Sequence, residues 1–119
     1  MDRFNYIAVA IGVFLVLYLL RRLAAGPLVS GEEAKKLVRE GATLVDVRSP
    51  GEFAGGHIDG AVNIPVQDFS SRASEIPKGK PVVLYCASGM RSGSAAGMLR
   101  RDGRTDVHNL GSLSRWPGG

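Results

Sequence analysis

At 119 residues the chain has room for one small domain, which excludes a two-domain enzyme with a separate cofactor domain. Hydrophobic residues at 45% and charged residues at 22% are ordinary for a folded protein, and the single cysteine, Cys86, excludes a disulfide-stapled scaffold. The net charge of +4 divides evenly between residues 1–23 and the remainder. No basic stripe marks a nucleic-acid surface, so nucleic acid is not an expected partner.

The apolar content is concentrated at the amino terminus. Phe4, Tyr6, Phe14 and Tyr18 are half of the aromatics, and Ile7 to Leu20 carries no charge and no strongly polar side chain. As a helix, Phe4–Leu20 spans about 25 Å, a little short of the roughly 30 Å hydrocarbon core. Extension through Arg21 and Arg22 to Ala25 closes the gap, because arginine lays its stem along the apolar zone while its head reaches water. A single transmembrane helix is therefore expected, with Tyr6 and Tyr18 near the two interfaces. A cleaved signal peptide competes, since Ala24-Ala25-Gly26 resembles a small-x-small cleavage site. The weakly positive start and the intervening Arg21-Arg22 favour retention. Arg21, Arg22, Lys35, Lys36 and Arg39 follow the helix and Arg3 alone precedes it, which places the following domain in the cytoplasm.

Gly26-Pro27 breaks this helix, and Leu28-Val29 could form a short edge strand. Ser30-Gly31-Glu32-Glu33 has capping-box spacing, Ala34, Leu37 and Val38 mark one apolar helical face, and Gly41 closes the helix. Leu44–Val47 reads as a buried strand, followed by a polar loop containing Pro50, Gly51, Gly55 and Gly56. Ala61–Ile64 is a second short strand, and Asp68–Ile76 a short irregular helix. Val82–Tyr85 is the strongest strand in the chain. A helix is expected from near Ser92 to Arg101, with Gly93 and Gly97 packed closely on the sheet. Val107–Leu110 makes a last strand and Gly111–Trp116 a last short helix. Alternating strands and helices predict an α/β fold, with a central parallel sheet covered on both faces.

Ligands of such sheets bind beyond the carboxyl ends of the strands. Asp46 and Arg48 stand at one such end and Cys86 at another. From Cys86 the loop Ala87-Ser88-Gly89-Met90-Arg91 leads straight into a helix. Its backbone N–H groups can form an anion-binding nest. The helix N-terminus and Arg91 add positive charge, and all three favour the nucleophilic thiolate over the thiol.

These residues resemble the rhodanese family. Cys86-Ala87-Ser88-Gly89-Met90-Arg91-Ser92 is similar to its active-site loop C-x-x-G-x-R-S, and Asp46-Val47-Arg48 to its D-V-R signature. Glu52-Phe53 followed by Gly56-His57-Ile58-Asp59-Gly60-Ala61-Val62-Asn63-Ile64-Pro65 resembles its E-F-x-x-G-H-I-x-G-A-x-N-I-P run. Asn109-Leu110-Gly111 with Trp116 is similar to its closing N-L-x-G-G…W segment, with Ser112 in place of the second glycine. Four ordered motifs covering roughly Leu28 to Pro117 are far more specific than any one of them.

The resemblance implies a rhodanese-like domain over residues 26–119 behind an anchor at 1–25. It implies sulfurtransfer from a small sulfane donor to a thiol or cyanide acceptor through a Cys86 persulfide; the alternatives are a membrane-tethered sulfur carrier unloaded by another protein, or a rhodanese-like docking module, each with little small-molecule turnover. Ala87, Ser88, Gly89, Met90, Arg91 and Ser92 would line the substrate, and Asp46 and Arg48 would support the loop. No metal or cofactor enters this reading. Arg91 would either contact an anion or brace the loop, and Asp46 would pair with Arg48 or with Arg91. His57 belongs to the family's structural G-H-I turn, and Trp116 is expected in the core or at its rim. Arg91 is the fifth residue after Cys86, one short of the C-x-x-x-x-x-R loop of cysteine-dependent phosphatases, and in the family the tighter ring accompanies sulfur rather than phosphate. Ala87 stands where some thiosulfate-using members carry a basic residue.

Overall fold

The computed structural model describes residues 3–118, with the side chains of residues 21–25 left aside. Helix α1 (Arg3–Ala25) is followed by α2 (Gly31–Arg39), β1 (Thr43–Asp46), α3 (Pro50–Ala54), β2 (Val62–Asn63), α4 (Phe69–Arg72), β3 (Val82–Cys86), α5 (Met90–Arg101) and β4 (Val107–Ser112). Every side chain from Arg3 to Leu20 is exposed. The stretch is long and apolar enough to cross a membrane, a property that a signal sequence near an amino terminus shares.

The four strands form one parallel sheet in the order β2-β1-β3-β4, and Leu28 adds a bridge to Asn109 at the outer edge. Period-two alternation divides the central strand between two cores. Val82, Leu84 and Cys86 pack with Phe69, Ala95, Ala96 and Leu99, beneath α4 and α5. Val83 and Tyr85 pack with Ala34, Leu44, Ile58 and Leu110, with Leu37, Val38 and Trp116 around them. The sheet is thus covered on both faces, and Cys86 leaves its strand on the α5 side.

Local chemistry explains the element ends. Ser30 Oγ accepts the Glu33 N–H at 3.1 Å and starts α2. At the other end Gly41, with φ of 110°, donates to Val38 while Ala42 donates to Leu37, which is a Schellman closure. Residues 50–54, expected as loop, form the short helix α3. Ser49 caps it reciprocally with Glu52, and Pro50 occupies the first turn, where its missing N–H costs nothing. The irregular helix spreads over a 3₁₀ turn at Val66–Asp68, α4, and a second 3₁₀ turn at Ala73–Glu75. The last helix is likewise a 3₁₀ turn, Leu113–Arg115. α5 begins two residues before Ser92. Gly93 is buried, as close packing requires, but Gly97 is not packed on the sheet: it is half-buried, and a Cβ there would meet only Arg101 Nη1, at 3.8 Å.

Gly31, the first residue of α2, faces backbone. A Cβ there would overlap the carbonyl oxygen of Arg115, whereas one on Gly51, in the first turn of α3, would meet nothing within 4 Å. Gly31→Ala should therefore destabilise the fold by about 1–3 kcal/mol, and Gly51→Ala should change it by no more than about 0.5 kcal/mol. Denaturant titration of both variants in detergent checks the contrast, and equal midpoints would contradict the packing described.

Candidate active site

β1 and β3 run side by side, pairing Asp46 with Tyr85, so that the residues after both strands emerge at one edge of the sheet. β4 joins them with one extra residue between Asn109 and Gly111, which brings Ser112 opposite Cys86. The side chain of Asn109 accepts the Gly111 N–H at 2.9 Å and holds this bulge.

Cys86 is 0% exposed and lies beneath Ala87, Ser88 and Met90, which face solvent. Gly89 turns the chain with φ of 98°, a conformation that side chains rarely adopt. A Cβ would also come within 3.3 Å of Gly111 Cα. The turn aims the Gly89 N–H at Cys86 Sγ, 2.9 Å away, and starts α5 with no side-chain cap. Ser92 Oγ lies 3.4 Å from the sulfur and 3.2 Å from the Gly89 carbonyl oxygen. Its one proton can serve either acceptor, so ionisation of the thiol draws it toward sulfur.

Burial pushes the Cys86 pKa up. The Ser92 hydroxyl and the N–H groups of Ser92, Gly89 and Ser88 pull it down, and the net direction is down. The cradle for a sulfur anion is therefore made of neutral donors. Arg91, offered by the sequence as a full charge beside the thiol, has its two terminal nitrogens on Glu52, at 2.7 and 3.0 Å. The Arg91 guanidinium, with the Ser49 N–H behind it, holds the Glu52 carboxyl down to about 2. Of the two roles left open for Arg91, bracing is the one the geometry displays.

Asp46 pairs with Arg48, not with Arg91. The carboxylate is fully buried, and it accepts the Arg48 backbone N–H at 2.9 Å together with Nε and Nη2 at 2.7 to 3.1 Å. Arg48 also donates to the Gly56 carbonyl oxygen at 2.7 Å and lies over the Tyr85 ring. Asn63 ties the Asp46 and Arg48 carbonyl oxygens together. The Ile58 N–H reaches Tyr85 Oη at 3.1 Å, and burial of that phenol pushes its pKa up to about 12. His57 stacks on Phe53, with Nδ1 at 2.8 Å from the Phe53 carbonyl oxygen, as suits a structural turn. Trp116 is half-buried at the core margin.

Glu52 is the residue to which sequence reasoning gave no role. Its signal was present: Ser49-Pro50-Gly51-Glu52, directly after a strand, carries both a capping box and a proline at the first helical position.

A model of the rhodanese-like domain matches residues 30–117, so the chain belongs to the rhodanese-like domain family. A Bacillus subtilis protein of uncharacterised function, YqhL, is 51% identical over 78 residues, covering 65% of this chain and 62% of its own length. This chain therefore spans less than two thirds of that relative. The thiosulfate sulfurtransferase PspE of Escherichia coli is 39% identical over 71 residues, which are 58% of this chain and 68% of that one. Among solved structures, the human single-domain sulfurtransferase TSTD1 superposes with a TM-score of 0.65 at 34% identity, covering 76% of this chain and 95% of that one. Of these three, PspE and TSTD1 carry sulfurtransferase names.

The lowered Cys86 pKa fixes a pH dependence. Ultraviolet absorbance of the thiolate, with Cys86→Ser as the blank, should titrate below an unperturbed thiol measured alongside, and Ser92→Ala should move the midpoint up. Because the folded pKa is the lower one, the ionised thiol adds stability in full above the ordinary value. That contribution is lost as pH falls through the folded midpoint. A midpoint at or above the ordinary value would contradict the cradle.

Proposed function

We propose that the chain is a sulfurtransferase in which Cys86 carries sulfane sulfur as a persulfide. The observation supporting this most directly is the Cys86 sulfur accepting the Gly89 N–H at 2.9 Å with the Ser92 hydroxyl 3.4 Å away, and its pKa lowered. The thiolate attacks the outer sulfur of a donor such as thiosulfate, a polysulfide or a persulfide. A new S–S bond forms with the thiolate's electron pair, the donor's S–S bond breaks, and its electrons leave on sulfite or a thiolate. The loop N–H groups then hold the persulfide anion as an oxyanion hole holds developing charge. A thiol or cyanide removes the outer sulfur and restores the thiolate, giving double displacement. Because Cys86 is the single cysteine, the accepting thiol comes from another molecule, small or protein. Ala87, Ser88, Gly89, Met90, Arg91 and Ser92 form the wall that the donor meets, and Asp46 with Arg48 holds the strand ends beneath it.

The amino-terminal helix anchors this domain to a membrane, with the domain on the cytoplasmic side. Arg21, Arg22, Lys35, Lys36 and Arg39 supply the positive flank. Placing either of the first two at the centre of the bilayer would cost about 2.5–3.5 kcal/mol on insertion scales.

Two experiments test these readings. Intact mass after incubation with a sulfane donor should rise by about 32 Da, reversibly with dithiothreitol, and Cys86→Ser should gain nothing and show no sulfurtransfer. An unchanged activity in Cys86→Ser would end the mechanism. In cells, a membrane-impermeant thiol reagent should label Cys86 only after lysis, and high salt should leave the protein in the membrane fraction. Labelling of intact cells, with a mature amino terminus near Pro27, would instead make the helix a cleaved leader.

A further inference from the structure

Arg91, the cation of the Cys86 loop region, is paired with a carboxylate, and this bears on the donor. Cys86-Ala87-Ser88-Gly89-Met90 contains no ionised side chain other than the thiolate. The one cation of the loop region, Arg91, is neutralised by Glu52 through two hydrogen bonds. Glu52 is itself fixed, because its Oε1 also accepts the Ser49 N–H at 3.2 Å and its backbone N–H is capped by Ser49 Oγ at the same distance. Exposed ion pairs between two freely moving side chains contribute little. Here one partner is pinned at a helix N-terminus and the other stands in the first turn of α5, so the pair is held in place before any ligand arrives. Arg48 is paired with Asp46, and Arg115 donates to the carbonyl oxygens of Leu110 and Val29. At the rim Met90 is 78% exposed, presenting an uncharged, polarisable thioether beside the loop.

We infer that Glu52, by holding Arg91, sets donor choice: the loop takes sulfur from uncharged organic persulfides, R–S–SH, in preference to the thiosulfate dianion. The inference rests on the sulfurtransfer reading above and narrows it. Thiosulfate brings two negative charges toward a thiolate, and with Arg91 held on Glu52 the positive field that would oppose that repulsion is weakened. It must also release sulfite, which leaves as a dianion. An organic persulfide in its protonated form brings no charge at the reacting end. Cys86 S⁻ attacks the outer sulfur, the inner S–S bond breaks, and RS⁻ leaves with the electron pair. The proton stays on the transferred sulfur during the transfer, so the total charge is −1 before and after, and it then passes to water to leave the persulfide anion. The R group of such a donor has Met90 to lie against.

The test is single-turnover loading of Cys86 in the full-length protein in detergent, followed by intact mass, with thiosulfate and with 2-hydroxyethyl persulfide. The wild type should load at least about tenfold faster from the persulfide at equal concentration. Glu52→Gln keeps a capping-box side chain at that position while removing the charge. It should raise the thiosulfate rate about tenfold and leave the persulfide rate within about twofold. Met90→Lys, a change at an exposed position, should move the ratio the same way with Glu52 intact. Equal loading of the wild type from both donors would overturn the inference and leave sulfurtransfer standing. A ratio raised by Met90→Lys and unmoved by Glu52→Gln would overturn the role given to Glu52. Loading from neither donor would overturn the underlying sulfurtransfer reading.

Discussion

The Asp46 carboxylate is fully buried at the carboxyl end of β1, and a charge in that position must be satisfied on every side. An ion taken out of water is strongly destabilising unless hydrogen bonds and an opposite charge surround it. Here the requirement organises the surrounding chain. Arg48, two residues on, folds its guanidinium back onto the carboxylate, and its remaining hydrogen-bonding capacity captures the Gly56 carbonyl oxygen. That contact closes the segment between residues 48 and 56 into a short arch, and α3 lies within it. Asn63 fastens β2 to the same place by donating to the carbonyl oxygens of Asp46, at the end of β1, and Arg48, at the start of the arch. Removing Arg48 would leave an uncompensated buried charge and release the arch together.

The arch matters to the loop because it carries Glu52. The two positions that meet across the site, Glu52 and Arg91, are 39 residues apart, and neither lies in the sheet. They meet because the parallel pairing of β1 and β3 sets the ends of both strands side by side. α3 follows one end and α5 follows the other. Electrostatically, the Cys86 sulfur is met by N–H dipoles and one hydroxyl, while Arg91 is held on Glu52. Dipoles fixed by backbone stabilise an anion without reorganising. They leave the charge of an incoming dianion less compensated than a lysine or free arginine would.

Sequence alone displays the parts of this architecture that depend on local pattern. The Val82–Tyr85 run, the Ser30 cap and the Gly41 terminus are each written in consecutive residues, and each stands in the structure within a residue or two. The start of α5 is displaced because its cap is a backbone conformation: Gly89 supplies no side-chain bond. Ser92, the nearest residue resembling a cap, spends its hydroxyl on the Cys86 sulfur and the Gly89 carbonyl oxygen instead. α3 is hidden because Pro50 and Gly51 look like a turn when the Ser49–Glu52 spacing is not weighed with them. The Glu52–Arg91 pair is invisible to any local rule, since it exists only once two strand ends are placed together. Gly97 misleads for a related reason: helical spacing from buried Gly93 suggests a shared packing face, and the fold leaves the later glycine beside a flexible arginine.

The central claim is that a single sulfur, held on Cys86 by neutral donors, is the species passed on. Cyanolysis of the loaded and desalted protein, with no free donor present, addresses it directly. The persulfide anion and cyanide should give thiocyanate and the thiolate, yielding about one thiocyanate per chain in a single burst. Cys86→Ser carried through the same loading should yield none. Sustained donor-to-cyanide turnover by the wild type, with no thiocyanate released from the isolated loaded protein, would contradict a covalent intermediate on Cys86.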